Sequence, residues 1–343
     1  MIFYLKGKSN MNIDSIIEKN FSGVISVKKN NEIMVQKTHG YADIVNKIPN
    51  EIDTRFGTAS AGKVFVAVGI LQLIEKGKLH FDDTIGSILD IDLKSIDQNI
   101  TIRQLLTHTS GIPDYFDEET MEEYADLWKD IPNYRIRKSM DLVPLFIDKP
   151  MMYKPGEKFK YNNTGFVVLG LIIEKLEGIL FDEYLRKNIF KPSGMDNTGY
   201  YELDRLPSKC ANSYIYDESK KDYYTNIYSI DVKGTGAGGA FTTAIDVNRF
   251  WKKLLSGKLL SEEYLNQMLT LQSGNDEDDE YYGYGIWLEK TKKNTYEPWF
   301  QGSDPGVSFL SSYNRSKGIE ITLVSNKGDD VWKIHKKIKK IIV

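Results

Sequence analysis

The sequence contains little cysteine or histidine and no long apolar run. One cysteine, Cys210, and four histidines occur among 343 residues. A single cysteine cannot form a disulfide within the chain, so the fold needs no oxidising compartment, and a small packed side chain is the expected role of Cys210. No stretch reaches the roughly 18 apolar residues of a membrane span, and the run before Lys6 is too short for a signal-peptide core. We therefore predict a cytoplasmic protein without a membrane span, with Met11 as an alternative natural start.

A strong charge of one sign is absent as well. With 45 basic and 48 acidic residues, the formal net charge is -3, which gives no electrostatic reason for binding a polyanion. We predict a small-molecule substrate, no nucleic-acid partner and no obligate protein partner. We also predict neither a cofactor nor a metal.

Strand patterns lie near both ends of the chain. Val24-Ile-Ser-Val27 and Ile33-Met-Val35 flank Asn30-Asn31, two residues that tolerate left-handed backbone, and this arrangement predicts a β-hairpin. Apolar runs over residues 285–288, 307–313 and 319–325 predict further strands. The apolar spacing over residues 331–341 predicts a last helix that covers one face of the sheet.

The middle of the chain is mainly helical by pattern. Residues 64–74 are almost all apolar, which is typical of a helix buried on every side. Helical patterns dominate residues 85–196, and we predict aromatic-rich loops over residues 214–228. The predicted fold is one α+β domain over residues 1–343: an antiparallel β-sheet built from both chain ends and flanked by helices. Residues 12–84 and 230–343 form its α/β part, and residues 85–229 form a mainly helical inserted region.

Two compositionally unusual segments have ordinary explanations. The cluster Gly234-Thr-Gly-Ala-Gly-Gly239 lacks the Lys-Ser/Thr pair of a nucleotide-binding P-loop and the strand that precedes it. We interpret it as a loop that lies close to other backbone. The acidic run Asp276-Glu-Asp-Asp-Glu280 is interpreted as a solvated loop, with calcium binding as the alternative.

A nucleophilic serine needs a base within hydrogen-bond reach, and two arrangements could supply one. A Ser-His-Asp triad on a Gly-x-Ser-x-Gly turn is disfavoured, because Thr58 occupies the first glycine position before Ser60. The other arrangement is Ser-x-x-Lys at a helix start, where the lysine follows one turn later on the same face. Ser26-Val-Lys-Lys29 lies in an alternating strand, where residues three apart point to opposite faces, so this match is accidental.

Ser60-Ala-Gly-Lys63 immediately precedes the apolar helix over residues 64–74. There the helix dipole favours negative charge on the serine oxygen, and burial would favour the neutral, basic form of Lys63. An N-cap serine with a solvent-reaching lysine is the alternative interpretation. Tyr-x-Asn occurs three times, starting at Tyr161, Tyr224 and Tyr264, and only the first follows a turn and precedes an apolar helix.

Four stretches of the chain together resemble the class C β-lactamases and their relatives, the penicillin-binding esterases and D-stereospecific peptidases. The stretches are Asp53-Thr-Arg-Phe-Gly-Thr-Ala-Ser-Ala-Gly-Lys63, Ile102-Arg-Gln-Leu-Leu-Thr-His-Thr-Ser-Gly-Ile112, Pro155-Gly-Glu-Lys-Phe-Lys-Tyr-Asn-Asn-Thr-Gly165 and Gly302-Ser-Asp-Pro-Gly-Val307.

The resemblance implies a β-lactamase/transpeptidase-like fold and a set of site residues. Ser60 would be the nucleophile, with Lys63 beside it and Tyr161 as general base or acid. Asn163 would bind the amide on the acyl side of the substrate. The backbone N–H groups of Ser60 and Ser303 would form the oxyanion hole. His108 falls in a structural segment of the family, and we expect it to be hydrogen-bonded and packed.

One motif departs from the family pattern. The third motif carries Lys or His, then any residue, then Gly, and this chain has Phe300-Gln301-Gly302 at that place, which we assign to substrate binding. Phe300 cannot donate a hydrogen bond to a substrate carboxylate, so we expect slow turnover of β-lactams or none. A histidine in its place would restore the donor. Lys292 or Lys293 could supply the missing cation instead.

Three functions follow from these residues. The first is a serine hydrolase that cleaves a small ester or amide through an acyl-serine intermediate. The second is a D,D-peptidase or β-lactamase, that is, a penicillin-binding protein. The third is a catalytically inactive binding protein on the same scaffold, which the joint presence of Ser60, Lys63 and Tyr161 disfavours.

Overall fold

A computed structural model describes residues 13–342 of the chain, so Met11 and the question of the natural start lie outside the described residues. The strands in chain order are β1 (Gly23–Lys29), β2 (Glu32–His39), β3 (Tyr41–Asp43), β4 (Ile48–Pro49), β5 (Phe56–Gly57), β6 (Tyr214–Asp217), β7 (Asp222–Thr225), β8 (Phe241–Thr242), β9 (Ser273–Asn275), β10 (Glu280–Tyr282), β11 (Trp287–Lys290), β12 (Tyr296–Asp304), β13 (Val307–Asn314) and β14 (Ile319–Ser325).

The α-helices range from single turns to the 15 residues of the longest, Asn163–Glu177. They are α1 (Lys63–Glu75), α2 (Ile85–Ile88), α3 (Ile102–Leu106), α4 (Asn163–Glu177), α5 (Phe181–Leu185), α6 (Lys191–Ser193), α7 (Ala244–Leu255), α8 (Glu262–Met268) and α9 (Val331–Ile342). Several 3-10 turns connect them, among them Ala59–Gly62 and Ser139–Leu145.

The main sheet combines strands from both chain ends. Its order is β2-β1-β14-β13-β12-β11-β10-β9, and the neighbouring strands are antiparallel. Val24 of β1 pairs with Val324 of β14, so residues 300 positions apart are direct neighbours. The α+β class and the antiparallel sheet from both ends are therefore confirmed. The division into parts at residues 85 and 229 stays a prediction.

The β1–β2 hairpin forms as its turn residues indicate. Asn30 and Asn31 adopt φ angles of 50° and 68°, the left-handed region that asparagine tolerates better than most residues. The acidic run over residues 276–280 lies at the turn between β9 and β10 and is mostly exposed, as a solvated loop should be.

Two strand assignments from the sequence were wrong. Residues 214–217 and 222–225 pair as a hairpin in the segment predicted to be loops, because Tyr and Thr at alternating positions suit a half-buried strand. The central strand β12 was missed, since Pro298 cannot donate to a ladder and Gly302 weakens a strand, so the segment lacks an ordinary strand pattern.

Helix α1 runs through the main core. Every residue from Lys63 to Ile74 is buried, as predicted from its unbroken apolar character. Helix α4 packs beside it. The side chain of Asn162 accepts from Gly165 N at its start, and Gly178 ends it in the left-handed conformation.

Helix α9 covers the other sheet face, with Ile334 and Ile338 buried against β13 and β14. The site lies where the start of α1 meets β12.

Among residues 13–342, no helix combines the length and apolarity needed to cross a bilayer. The cytoplasmic location stays a prediction from the sequence.

Candidate active site

Ser60 lies in the tight turn that leads into α1. The 3-10 turn Ala59–Gly62 continues directly into the helix at Lys63. Ala59 adopts a φ angle of +47°, a left-handed conformation that costs a non-glycine residue about 1–3 kcal/mol. The surrounding loop holds that conformation, because Gly239 N donates to Ala59 O at 3.0 Å. The turn leaves Ser60 half-buried at the wall of a pocket.

The amine of Lys63 is held by three acceptors. Its Nζ lies 2.9 Å from Ser60 Oγ, 2.9 Å from Asn163 Oδ1 and 2.5 Å from Ala237 O. Burial lowers the pKa of Lys63 to about 8, against the opposing effect of the Glu118, Asp114, Asp304 and Asp231 carboxylates. The amine is therefore close to the balance between its charged and neutral forms near neutral pH.

Asn163 is oriented from behind by Asp114. The Asp114 carboxylate is buried and accepts from Asn163 N at 2.7 Å, Thr164 N at 3.1 Å and Asn163 Nδ2 at 3.4 Å. Asn163 Nδ2 also donates to Phe116 O at 3.2 Å. Both amide hydrogens of Asn163 thus have partners inside the protein, and its oxygen faces Lys63. In this geometry Asn163 holds the lysine, which differs from the substrate-amide contact that the resemblance implies.

Tyr161 lies on the other side of Lys63 in an aromatic cluster. Lys63 Nζ is 5.0 Å from the centre of the Tyr161 ring, and the ring stacks on Trp287 at 5.7 Å. Burial raises the pKa of Tyr161 well above its ordinary value and Tyr282 adds to this, while the hydrogen-bonding interaction with the Ser60 side chain opposes both. The phenol therefore stays protonated next to the serine.

The other two Tyr-x-Asn sequences lie elsewhere. Tyr224 is 49% exposed on β7 and Tyr264 belongs to α8, whereas Tyr161 lies beside Lys63 and Ser60.

His108 supports the segment that carries Tyr161. Its ring is buried, its Nδ1 accepts from Asn162 N at 3.1 Å, and its carbonyl accepts from Lys160 N at 2.9 Å. Burial, with help from the charge of Lys63, keeps the pKa of His108 well below 6.5, so the ring is neutral. The predicted role as a hydrogen-bonded packing residue is confirmed.

Two glycine segments press against the Ser60 turn. A Cβ added at Gly238 would lie 2.3 Å from Ala59 O, and one added at Gly236 would lie 2.1 Å from Phe166 O. The interpretation of the glycine cluster as a close-approach loop is confirmed. On the opposite side, a Cβ at Gly302 would lie 2.6 Å from Ser60 N. Strand β12 therefore runs directly beside the Ser60 turn, and Ser303 follows in the same pocket.

A comparison with protein families matches residues 13–337 to the Beta-lactamase family. The chain belongs to this family. The Bacillus subtilis protein PbpX is 31% identical over 90% of this chain and 71% of its own length. The crystal structure of a penicillin binding protein from Bacillus halodurans is 40% identical, covers 96% of this chain and 100% of its own, and has a TM-score of 0.91.

A D-amino acid amidase from Ochrobactrum anthropi shares the fold at 23% identity, with a TM-score of 0.78 over 97% of this chain and 99% of its own. The resemblance drawn from the four sequence stretches is thus confirmed, and the chain is a serine hydrolase of the Beta-lactamase family.

The third-motif side chains do not reach the pocket. Phe300 is 3% exposed and packs in the core against Trp251, with ring centres 5.2 Å apart. Gln301 points to the opposite sheet face, where its Oε1 accepts from Trp332 Nε1 on α9. Lys292 and Lys293 are exposed in the β11–β12 turn and do not line the pocket either. Of the third motif, only Gly302 lies against the Ser60 turn, and the assignment of Phe300 and Gln301 to substrate binding is wrong for this geometry.

This placement changes what Phe300→His should do. An imidazole there would enter an aromatic core between Phe250, Trp251 and Phe309 without a partner, and would not point at the substrate. We expect the free energy of unfolding to fall by about 2–4 kcal/mol in urea titration, with no gain in cephalosporin turnover. Phe300→Leu is the matched control and should cost roughly 1–1.5 kcal/mol. A stable Phe300→His variant with faster cephalosporin turnover would show that the side chain reaches the site.

Sequence reasoning missed four groups around the serine. Asp114 lies two residues after the second matched stretch and could have been found by extending it. Asp304 lies within the fourth matched stretch and Ala237 within the glycine cluster, but neither pattern indicated a role beside the serine. Asp231 carries no local signal, because it reaches the pocket from a separate loop.

Proposed function

We propose that this protein hydrolyses a small ester or amide through an acyl intermediate on Ser60. The observation that carries the proposal is the 2.9 Å contact between Lys63 Nζ and Ser60 Oγ. Burial lowers the pKa of this amine to about 8, which makes its neutral, basic form accessible. The pocket of about 450 Å³ suits a small molecule.

The acceptors around Lys63 orient its amine so that proton transfer can occur with Ser60. Asn163 Oδ1 and Ala237 O can only accept, so two hydrogens of the amine point at them in either charge state. The third position faces Ser60 Oγ. In the neutral amine this position is the lone pair, which takes the hydroxyl proton as the serine oxygen bonds to the substrate carbonyl.

Tyr161 then serves as the proton donor to the leaving group. Because its pKa is raised well above 10, the phenol is not a base in the free enzyme. Its ring lies 5.0 Å from Lys63 Nζ, and its hydroxyl interacts with the Ser60 side chain, so the proton taken by Lys63 can replace the one that Tyr161 gives away. The backbone N–H groups of Ser60 and Ser303 would stabilise the oxyanion.

Tyr161→Phe tests the proton-donor role. We expect kcat for p-nitroanilides to fall about 100-fold or more, because a poor leaving group needs a proton. Esters of p-nitrophenol should be affected less, since that leaving group departs as an anion. The variant should unfold at the wild-type temperature, since the ring and its stacking on Trp287 remain. Equal losses on both substrates would assign Tyr161 to positioning.

A second candidate function is penicillin binding. It is favoured by the likeness to the Bacillus halodurans protein, whose structure is described as that of a penicillin binding protein. The pocket itself offers no cation for the penicillin carboxylate among its described lining residues. We therefore place hydrolysis of uncharged or cationic esters and amides first.

Intact-protein mass spectrometry separates these functions. A fluorophosphonate should add to Ser60 and to no other residue, as peptide mapping would show. A long-lived penicilloyl adduct would favour the penicillin-binding function, and no adduct with either probe would favour the inactive binding protein.

A further inference from the structure

The pocket beside Ser60 is lined by carboxylates. Its described lining includes no lysine, arginine or histidine, and it includes five acidic residues: Glu118, Glu122, Glu123, Asp231 and Asp304. The whole chain has 45 basic and 48 acidic residues, so this bias is local. Ser60 lies in the same pocket, so any substrate must enter this negative field before it reacts.

Asp231 and Asp304 form the inner part of the acidic wall. Both are half-buried, whereas the three glutamates are exposed at the rim. Among the described residues, Lys63 supplies the positive charge that acts on both aspartates. Its amine is nevertheless hydrogen-bonded to Ser60, Asn163 and Ala237 and not to either carboxylate. The two aspartates thus lack a cation of their own.

Asp304 faces the nucleophile turn because of its position in β12. Side chains alternate along a strand, so Asp304 points to the same face as Gly302, about 7 Å further along. On this face, Gly302 lies against the backbone nitrogen of Ser60. Asp231 lies near enough for its charge to act on Asp304, and its Oδ1 accepts from the Tyr124 hydroxyl at 3.2 Å.

The charge of Lys63 offsets only part of the effect of burial on the two carboxyl groups. Burial raises the pKa of Asp304 to about 8, with a contribution from the Asp231 charge, and burial raises the pKa of Asp231 to about 6. A substrate carboxylate would add a further negative charge here. A group with several N–H donors and a positive charge would instead satisfy both aspartates.

We propose that Asp231 and Asp304 bind an ammonium group of the substrate, a few bonds from the carbonyl that Ser60 attacks. The substrate class is then amides or esters of amino acids with a free amino group. This inference rests on the proposed acyl-Ser60 chemistry and names its specificity. Tyr115, Phe116 and Tyr124 line the same pocket and would pack on the apolar part of the acyl group.

The test compares p-nitroanilides that share a leaving group. Alanine p-nitroanilide carries the ammonium, lactic acid p-nitroanilide replaces it with a hydroxyl, and N-succinyl-alanine p-nitroanilide places a carboxylate there. Both enantiomers of each are assayed at pH 7. We expect kcat/KM for one alanine enantiomer to exceed that of the lactic acid analogue at least tenfold, with the succinyl compound slowest.

Asp304→Asn and Asp231→Asn should each reduce the ratio of alanine to lactic acid turnover at least fivefold. Asp276→Asn changes the net charge equally, at an exposed turn, and should leave the ratio at its wild-type value. Thermal unfolding checks that each variant folds. A wild-type ratio below two, or a ratio that survives both aspartate substitutions, would overturn the inference. A fluorophosphonate adduct on Ser60 in the same samples separates that result from failure of the proposed function, in which no adduct forms.

Discussion

Ser60→Ala is expected to lower kcat/KM for activated esters by about 10⁴-fold or more and to abolish the fluorophosphonate adduct. The substitution removes the atom that bonds to the acyl group, and no other described hydroxyl lies within hydrogen-bond distance of Lys63 Nζ. The backbone N–H of residue 60 remains, so residual activity would come from the oxyanion site alone.

The fold should survive this change. Ser60 is half-buried, and its small side chain interacts with Lys63 and Tyr161, so the free energy of unfolding should fall by about 1 kcal/mol. Ser26→Ala is the matched control, because Ser26 opens the second Ser-x-x-Lys sequence on β1, far from the pocket. Wild-type activity in Ser60→Ala, or a comparable loss in Ser26→Ala, would contradict the assignment.

Lys63→Met is expected to lower kcat by about 10³-fold while Ser60 keeps its place. Methionine fills a similar volume but has no lone pair on nitrogen to take the hydroxyl proton. Lys29→Met, at an exposed lysine of the accidental motif, is the control and should retain full activity. Lys63→Arg should be as inactive as Lys63→Met, since a guanidinium does not lose its proton in this range.

The pH profile provides a second measurement of the same role. Burial lowers the pKa of Lys63 to about 8, and the amine works as a base only above that value. The kcat/KM of a substrate without ionisable groups should therefore rise as the pH increases through about 8 and then level off. Asp304→Asn removes a carboxylate that raises the pKa of Lys63, so the rise should move to lower pH. A flat profile between pH 6 and 9 would exclude Lys63 as the base.

The local sequence was sufficient to predict features whose residues lie close together in the chain. Ser60 and Lys63 are three residues apart at a helix start, and that spacing alone puts them on one face. The Asn30-Asn31 turn and the all-apolar α1 were predicted for the same reason, since short-range geometry decides them.

The direction of the Phe300 side chain could be predicted only once strand β12 was known. Once β12 exists, alternation places Phe300, Gly302 and Asp304 on one face, and packing against α7 takes Phe300 into the core. The sequence showed that Phe300 occupies the motif position but not where its side chain points, because Pro298 and Gly302 disrupt the strand pattern of β12.

The sequence by itself determined the family, the pairing of Ser60 with Lys63, and the segment that carries Tyr161, because each of these is a short contiguous pattern with a fixed local geometry. The tertiary structure alone decided the charge of the pocket. Glu118, Asp231 and Asp304 belong to a loop of the inserted region, a segment before the glycine cluster and the end of a central strand, and no spacing in the chain relates them. They meet because β12 and the glycine cluster both pack against the Ser60 turn, so burial and mutual repulsion of the aspartates arise only after the sheet and the helical region have closed on each other.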